Sequence, residues 1–224
     1  MPREARTVIQ NIPHHITQRG NNRQDVFFTT DDRRAYLEIL ARQSAAHGMK
    51  IHAYCLMTNH IHIVATPERQ DSLALALGKT HLIYTQHINR LHKRSGHLWQ
   101  NRFYSCPVQD DALPPVMRYV ENNPVRARLA RRAWQYEWSS AAAHTGAQDA
   151  AGILCLDAWR KLATPESWKA YLIERTDEEF VRTLRLRTSR GRPLGSDSFI
   201  SKLETIAGRR LRALPNGRPR KETP

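Results

Sequence analysis

Two histidines, His60 and His62, are spaced in a way that suggests chemistry. They lie in HIHIVA, residues 60–65, whose alternation of polar and apolar residues predicts a β-strand. Alternate side chains of a strand share a face, so both imidazoles project together while Ile61 and Ile63 face the core. Two adjacent imidazoles make half of a metal site. Because the chain has 11 histidines, a polar sheet face or a chance pair is the open alternative.

A tyrosine and an asparagine form the second candidate. Tyr119 and Asn123 are four residues apart, and a short helix is predicted from about 114 to 122, so both would lie on one helical face. A phenol, with a pKa of about 10, is a weak nucleophile at neutral pH. It can attack a phosphodiester when a metal polarises the phosphate. Such a helix, laid across the sheet, would supply both Tyr119 and a third ligand; alternatively, Tyr119 is a packing aromatic.

Three aromatic residues lie beside an arginine between residues 98 and 108, which the sequence predicts to be a strand. Trp99, Phe103 and Tyr104 surround Arg102 and two amides. This mixture suits base stacking combined with phosphate contact. The alternative is that Trp99 and Phe103 alternate inward as core residues.

The charge balance indicates a polyanionic partner. Lys and Arg number 35 and Asp and Glu number 21, giving a formal charge of +14. Residues 181–224 carry 12 basic and 3 acidic residues, so most of the excess lies near the C-terminus. Nucleic acid is favoured over a membrane surface, because no amphipathic apolar face accompanies these cations. A basic tail that only keeps the protein soluble is the alternative.

The remaining composition favours a soluble, cytoplasmic protein. No segment approaches the roughly 18 apolar residues of a membrane span. The basic N-terminus lacks the apolar stretch of a secretory signal. The three cysteines form no CxxC pair, which argues against a disulfide framework or a cysteine zinc site.

The element order predicts an α+β fold. Strands are expected near 13–19, 50–57, 60–65 and 98–108, and helices near 31–47, 71–94 and 114–122. One antiparallel sheet with helices packed on it, of the ferredoxin-like kind, is the simplest arrangement of that order. The neighbours His14 and His15 would point to opposite faces of the first strand and could not chelate together.

A small, helical and basic C-terminal extension is predicted after residue 140. Helices are expected near 155–161, 165–174, 177–188 and 197–207. Thr176 and Glu179 match a capping box, and Thr164-Pro165 places proline at a helix start. The expected domains are a catalytic domain at 1–140, the helical extension at 141–207 and a basic tail without fixed structure at 208–224.

Several ordered segments resemble one family of enzymes, the REP-associated tyrosine transposases of the single-tyrosine HUH superfamily in bacteria. The matching segments are PHHITQRGNNR (13–23), AYCLMTNHIH (53–62), LWQNRF (98–103) and RYVENNPVRA (118–127), with WSS (138–140) and PLG (193–195) as weaker matches. The resemblance is strong over about 8–140 and looser beyond.

The resemblance implies a role for each candidate residue. His60 and His62 would be metal ligands, Tyr119 the nucleophile and Asn123 the third ligand, with Mg²⁺ or Mn²⁺ as the cofactor. Candidates for DNA contact are Arg19, Arg102, Arg118, Arg126 and Trp99. Arg118 and Arg126 flank Tyr119, and the open alternative is that they are ordinary solvated arginines. Two departures concern geometry: Pro114 and Pro115 would fix the start of the tyrosine helix, and Pro124 biases Asn123 away from helical geometry.

The function implied is a DNA transposase. Such an enzyme cuts single-stranded or hairpin DNA through a covalent 5′-phosphotyrosine, which places it in the cytoplasm on the nucleoid with no membrane partner. The sequence does not distinguish a monomer from a dimer. Two alternatives are a domesticated, non-catalytic hairpin-binding protein and a metal hydrolase that uses water. In the tail, Gly217-Arg218-Pro219 resembles the core of minor-groove-binding hooks.

Overall fold

The sheet is a four-stranded antiparallel structure in a computed structural model that describes residues 6–213. Its strands are β1 (His14–Arg19), β2 (Met49–Met57), β3 (His60–Pro67) and β4 (Tyr104–Pro107). They lie in the order β2-β3-β1-β4, and every neighbouring pair is antiparallel. Thr58 and Asn59 connect β2 to β3. The predicted α+β class is confirmed.

Nine α-helices surround the sheet within residues 6–213. In chain order they are α1 (Thr30–His47), α2 (Ser72–Leu91), α3 (Leu113–Glu121), α4 (Asn123–Arg126), α5 (Ala141–His144), α6 (Leu156–Arg160), α7 (Pro165–Ile173), α8 (Glu178–Arg190) and α9 (Asp197–Ala207). Every helix predicted between residues 31 and 207 is present within a few residues of its expected bounds. None of these helices has the length and apolar composition needed to cross a bilayer.

The two sheet faces have separate cores because strand side chains alternate. Ile61 and Ile63 of β3 pack with residues of α1 and α2. Val64 of the same strand packs on the other face with residues of α3, α7 and α8. The C-terminal helices therefore cover the face from which the even-numbered residues of β3 project.

Two local predictions are wrong. The strand predicted at 98–108 is ordered as a strand only over Tyr104–Pro107, because Asn101 adopts a left-handed backbone conformation (φ 56°) that interrupts an extended chain. The capping box predicted from Thr176 does not form. Asp177 caps α8 instead, and its carboxylate accepts from the backbone N–H groups of Glu179 and Phe180.

The last described residues pack against the N-terminal segment. Leu211 is buried together with Ile9 and Leu203 of α9. Residues 214–224, which include the hook-like Gly217-Arg218-Pro219, lie outside the described residues.

Candidate active site

The two imidazoles of β3 lie side by side on the sheet face that α3 and α8 cover. The ring centroids of His60 and His62 are 5.1 Å apart and the rings are nearly perpendicular. In the antiparallel register, Thr17 of β1 lies opposite His62 and Arg19 lies opposite His60. The shared face therefore has the geometry that the alternation in the sequence predicts.

Hydrogen bonding defines which nitrogen of His60 is free. Its Nδ1 lies 2.7 Å from the side-chain oxygen of Asn59. Because an amide oxygen only accepts, Nδ1 carries the proton and Nε2 presents a lone pair. A partner that fixes the tautomer in this way is typical of metal-binding histidines.

A longer relay fixes His62. The Thr188 hydroxyl of α8 donates to the Leu184 carbonyl (2.8 Å), so its oxygen accepts from His15 Nδ1 at 2.7 Å. His15 Nε2, left without a proton, accepts from His62 Nδ1 at 3.1 Å. The relay leaves Nε2 of His62 with a free lone pair, as in His60. Both histidines thus offer the same atom to a cation.

Burial keeps these imidazoles neutral. It lowers the pKa of His15 to about 3. Burial, followed by the nearby charges of Arg19 and Arg185, lowers the pKa of His60 to about 4. The pKa of His62 is also well below the usual value, first through burial and then through its neighbours. Neutral imidazole is the form that binds metals.

Tyr119 projects from α3 directly onto the histidines. Its ring meets those of His62 and His15 edge-on, with centroids 5.5 and 5.7 Å apart. Its hydroxyl oxygen accepts a hydrogen bond from Nε of Arg185 at 3.2 Å. The guanidinium of Arg126 lies 5.6 Å from the ring centroid. The phenol is therefore packed and, at the same time, hydrogen-bonded to a cation beside the imidazole pair.

Prolines flank the tyrosine helix α3 at both ends. Pro114 and Pro115 occupy the first turn of α3, where the missing N–H groups cost nothing. The helix stops at Glu121, and Asn123 begins α4 although it precedes Pro124, so the expected departure of Asn123 from helical geometry does not occur.

The side chain of Asn123 compensates for this interruption. Its amide nitrogen donates to the carbonyls of Tyr119 (2.9 Å) and Val120 (3.2 Å). Pro124 cannot donate to Val120, so the side chain replaces the missing helical bond. These bonds use the amide nitrogen and leave the side-chain oxygen of Asn123 without a hydrogen bond among the described residues. In the part of the chain that the structure describes, His60 and His62 belong to no group of three histidines, cysteines or carboxylates suited to a metal.

The other candidate residues occupy different environments. Arg19 and Arg102 are exposed. Arg118 is buried, donates to the Glu174 carbonyl and lies 4.7 Å from the Tyr171 ring centroid. These contacts hold Arg118 against the C-terminal extension.

Arg126 and Trp99 are more enclosed than the exposed arginines. Arg126 lies 3.5 Å from the carboxylate of Glu178 and also flanks Tyr119. Trp99 packs in the core between α1 and α2, with its ring centroid 4.5 Å from that of His81. Trp99 is therefore a core residue, which was the second of the two interpretations of its sequence position.

Three residues of the site were not predicted from the sequence. His15 pairs in space with His62, and Arg185 and Thr188 reach the site from α8. The sequence signals for His15 were its position in a β-leaning segment and in the family-like segment 13–23, and neither assigned it a role. Nothing in the sequence placed α8 over β1 and β4, so Arg185 and Thr188 appeared as ordinary helix residues.

Comparison with known proteins identifies the family. The family model described as IS200-like transposase matches residues 8–123, a segment that contains His15, His60, His62, Tyr119 and Asn123. The chain belongs to the IS200-like transposase family. The family expected from the sequence motifs is confirmed, and a transposase is a DNA-processing enzyme. Arg185 and Thr188 lie beyond the matched segment.

One solved structure supports the fold, and a second aligns with a lower TM-score. A REP-associated tyrosine transposase bound to a REP hairpin has 18% sequence identity and a TM-score of 0.53, over 62% of this chain and 82% of that chain. A transposase candidate from Deinococcus radiodurans has 18% identity and a TM-score of 0.38, over 54% of this chain and 97% of that one. No curated protein sequence matches.

Proposed function

We propose that this protein is a metal-dependent single-stranded DNA endonuclease and strand transferase with Tyr119 as its nucleophile. The observation that carries the proposal is the contact of the Tyr119 ring with His62, together with the hydrogen bond from Arg185 to the Tyr119 hydroxyl. A phenol, two neutral imidazoles and a guanidinium in one cluster suit attack on a phosphodiester better than a purely structural role.

The residues divide the reaction between them. The Tyr119 oxygen forms a bond to phosphorus as the bond from phosphorus to the 3′ oxygen breaks. The phenolic proton is lost to solvent, and the departing strand leaves with a 3′-OH. Arg185 stabilises the negative charge on the Tyr119 oxygen during attack and during the reverse reaction. The 5′-phosphotyrosine conserves the bond energy, so another 3′-OH can rejoin the strand without ATP.

We expect the histidine pair to hold a divalent cation, with Asn123 as the third ligand that the family resemblance implies. Nε2 of His60, Nε2 of His62 and the side-chain oxygen of Asn123 are the atoms left free by the hydrogen bonds around them. A bound ion would act as a Lewis acid on the scissile phosphate. Imidazoles bind Mn²⁺ better than Mg²⁺. We therefore expect faster cleavage with Mn²⁺ at equal, limiting concentration, and equal or faster cleavage with Mg²⁺ would argue against imidazole ligation.

The proposed substrate is hairpin or repeat DNA. Support comes from the transposase family, from the net charge of +14 and from the relative solved with a REP hairpin. Inverted repeats flanking the coding region would supply candidate hairpins. Arg19 is exposed and lies opposite His60 in the sheet, and we expect it to contact the strand near the scissile phosphate.

The test is covalent capture of labelled DNA. Wild type, Tyr119→Phe and Tyr171→Phe would be incubated with end-labelled hairpin DNA and Mn²⁺ and then run on denaturing protein gels. Tyr171→Phe is the matched control, because it removes one hydroxyl from α7 and retains the ring. We expect a labelled protein band with wild type and Tyr171→Phe, and none with Tyr119→Phe or with EDTA.

Other outcomes would favour the alternatives. Cutting that persists in Tyr119→Phe would indicate a hydrolase that uses water. Tight binding of hairpin DNA by wild type without a covalent band or cut strand would indicate a non-catalytic binding protein.

A further inference from the structure

A basic cleft lies at the outer edge of the sheet, separate from the histidine pair. It has a volume of about 570 Å³, and seven arginines line it. Arg6 and Arg102 come from the N-terminal segment and the loop before β4, Arg190 and Arg192 from the end of α8, and the others from residues 209–212. No aspartate or glutamate lines the cleft within residues 6–213.

Several of these charges lack a carboxylate partner within residues 6–213. Among the described residues, no carboxylate pairs with Arg102, Arg190 or Arg192, whereas Arg212 is paired with Glu204. Arg6 lies 3.7 Å from the Phe103 ring centroid, and its pKa is lowered to about 10 by burial and then by Arg102. Cations held this close without acids favour a bound anion.

The cleft also has an aromatic side chain suited to a nucleotide. Tyr104 of β4 lines the cleft and is 44% exposed. An unpaired base could stack on its ring.

The helix α8 connects the cleft to the proposed active site. Arg185 contacts the Tyr119 hydroxyl, and Thr188 both bonds to His15 and lines the cleft. Arg190 follows Arg185 by five residues, a rise of about 7.5 Å along the helix axis. Successive phosphates of one DNA strand are about 3.4 Å apart along a duplex axis, so a few nucleotides span this distance.

We propose that this cleft binds the phosphates of the single-stranded DNA segment that adjoins the scissile phosphate. Arg102, Arg190 and Arg192 contact successive phosphates, and Tyr104 stacks on an unpaired base. The continuity with the scissile phosphate rests on the proposed function, whereas the binding of DNA in the cleft does not. The C-terminal extension, beyond the family segment, thus supplies part of the DNA path.

The test measures binding without cleavage. Anisotropy of a fluorescent single-stranded oligonucleotide, taken from the DNA flanking the coding region, would be titrated with the full chain in EDTA at several salt concentrations. The variant Arg102→Gln/Arg190→Gln/Arg192→Gln is compared with Arg42→Gln/Arg90→Gln/Arg131→Gln. These control arginines are exposed, lie outside the cleft and lower the net charge equally.

We expect the cleft variant to lose about 2 units of the slope of log K against log salt, because each single-strand phosphate contact contributes about 0.7. The control variant should keep the wild-type slope. Lysine at the same three positions should restore the slope, which separates charge from misfolding. Tyr104→Leu should weaken binding roughly tenfold without changing the slope.

Equal slopes for the cleft and control variants would overturn the proposal, as would an absence of DNA binding by wild type. A slope loss seen only with RNA of the same sequence would assign the cleft to RNA and overturn the DNA proposal. The covalent assay is independent: a slope loss without any covalent band would retain the cleft and reject the proposed chemistry.

Discussion

At the scale of single residues, the hydrogen bond between Tyr119 and Arg185 joins α3 to a residue 66 positions away. Arg185→Ala removes the only described donor to the Tyr119 oxygen. A hydrogen bond to a charged group contributes roughly 1.5–3 kcal/mol, so we expect covalent complex formation to slow about 10- to 100-fold in single-turnover assays at saturating DNA. Lysine should restore part of the rate.

The control for this variant lies on the same helix. Arg182→Ala removes an exposed arginine of α8 that does not contact Tyr119, and it should retain the wild-type rate. An unchanged rate in Arg185→Ala would show that the contact only packs the ring.

The hydrogen-bond relay from Thr188 through His15 orients His62, so breaking the relay should weaken metal binding. Thr188→Val keeps the shape of the side chain but removes the oxygen that accepts from His15 Nδ1. His62 is then free to rotate or change tautomer, and we expect Mn²⁺ affinity, measured by calorimetry, to fall about 10- to 100-fold. Thr188→Ser should bind as wild type does. Equal affinity in Thr188→Val would rule out the relay as a positioning device.

At the scale of elements, a buried carboxylate anchors the tyrosine helix to the C-terminal extension. Glu121, at the end of α3, accepts from the Ser140 hydroxyl at 2.5 Å and from the Trp168 indole at 2.8 Å, and it contacts His144 Nδ1 at 2.5 Å. All these groups are buried. One side chain thus fixes α3 against α5 and α7.

Replacing this carboxylate should be costly. Glu121→Ala leaves buried donors without an acceptor, each costing about 1–3 kcal/mol. We expect the free energy of unfolding, measured with urea, to fall by at least about 3 kcal/mol. Glu137→Ala, an exposed glutamate nearby in sequence, should change it by less than about 0.5 kcal/mol. Similar losses in both variants would contradict the anchoring role.

The individual elements also differ in how well the sequence predicts them. Alternation and helical periodicity predicted β3, α1 and α2 because each element has one apolar face. The strand predicted from 98 failed because the left-handed conformation of Asn101 has no signature in the hydrophobic pattern. His15 and Arg185 were missed because their roles depend on strand register and helix placement, which local patterns do not determine.

At the scale of the molecule, the second core joins the extension to the sheet. Trp168, Leu172, Val181 and Leu184 are buried with residues of β2 and α3. Full burial of each such side chain contributes roughly 1.5–3 kcal/mol, so together they approach the 5–15 kcal/mol that stabilises a typical domain. We expect a chain truncated after residue 140 to lose its cooperative urea transition, while truncation after residue 213 preserves it. A cooperative transition in the shorter chain would establish 1–140 as an independent domain.

Buried neutral histidines make the stability of the whole molecule depend on pH. Burial lowers the pKa of His14 to about 4 and that of His15 to about 3, against about 6.5 in the unfolded chain. Below pH 6.5 the unfolded state binds more protons, so stability is complete above that pH and falls as the pH decreases toward 4. Each histidine should remove about 2 kcal/mol between pH 7 and pH 5.

Urea unfolding at pH 8, 7, 6 and 5 checks this expectation. Stability should be equal at pH 8 and 7 and should fall progressively at pH 6 and 5. In His14→Gln, whose amide can both donate to the Ile12 carbonyl and accept from the Ile9 N–H as the imidazole does, the fall between pH 7 and pH 5 should be about 2 kcal/mol smaller. His14 then takes up no proton on unfolding, whereas His15, His60, His62 and His81 still do. A flat profile from pH 7 to pH 5 in wild type would mean that these imidazoles are protonated, or exposed to water, in the folded protein. The neutral relay to His62 could then not operate at physiological pH.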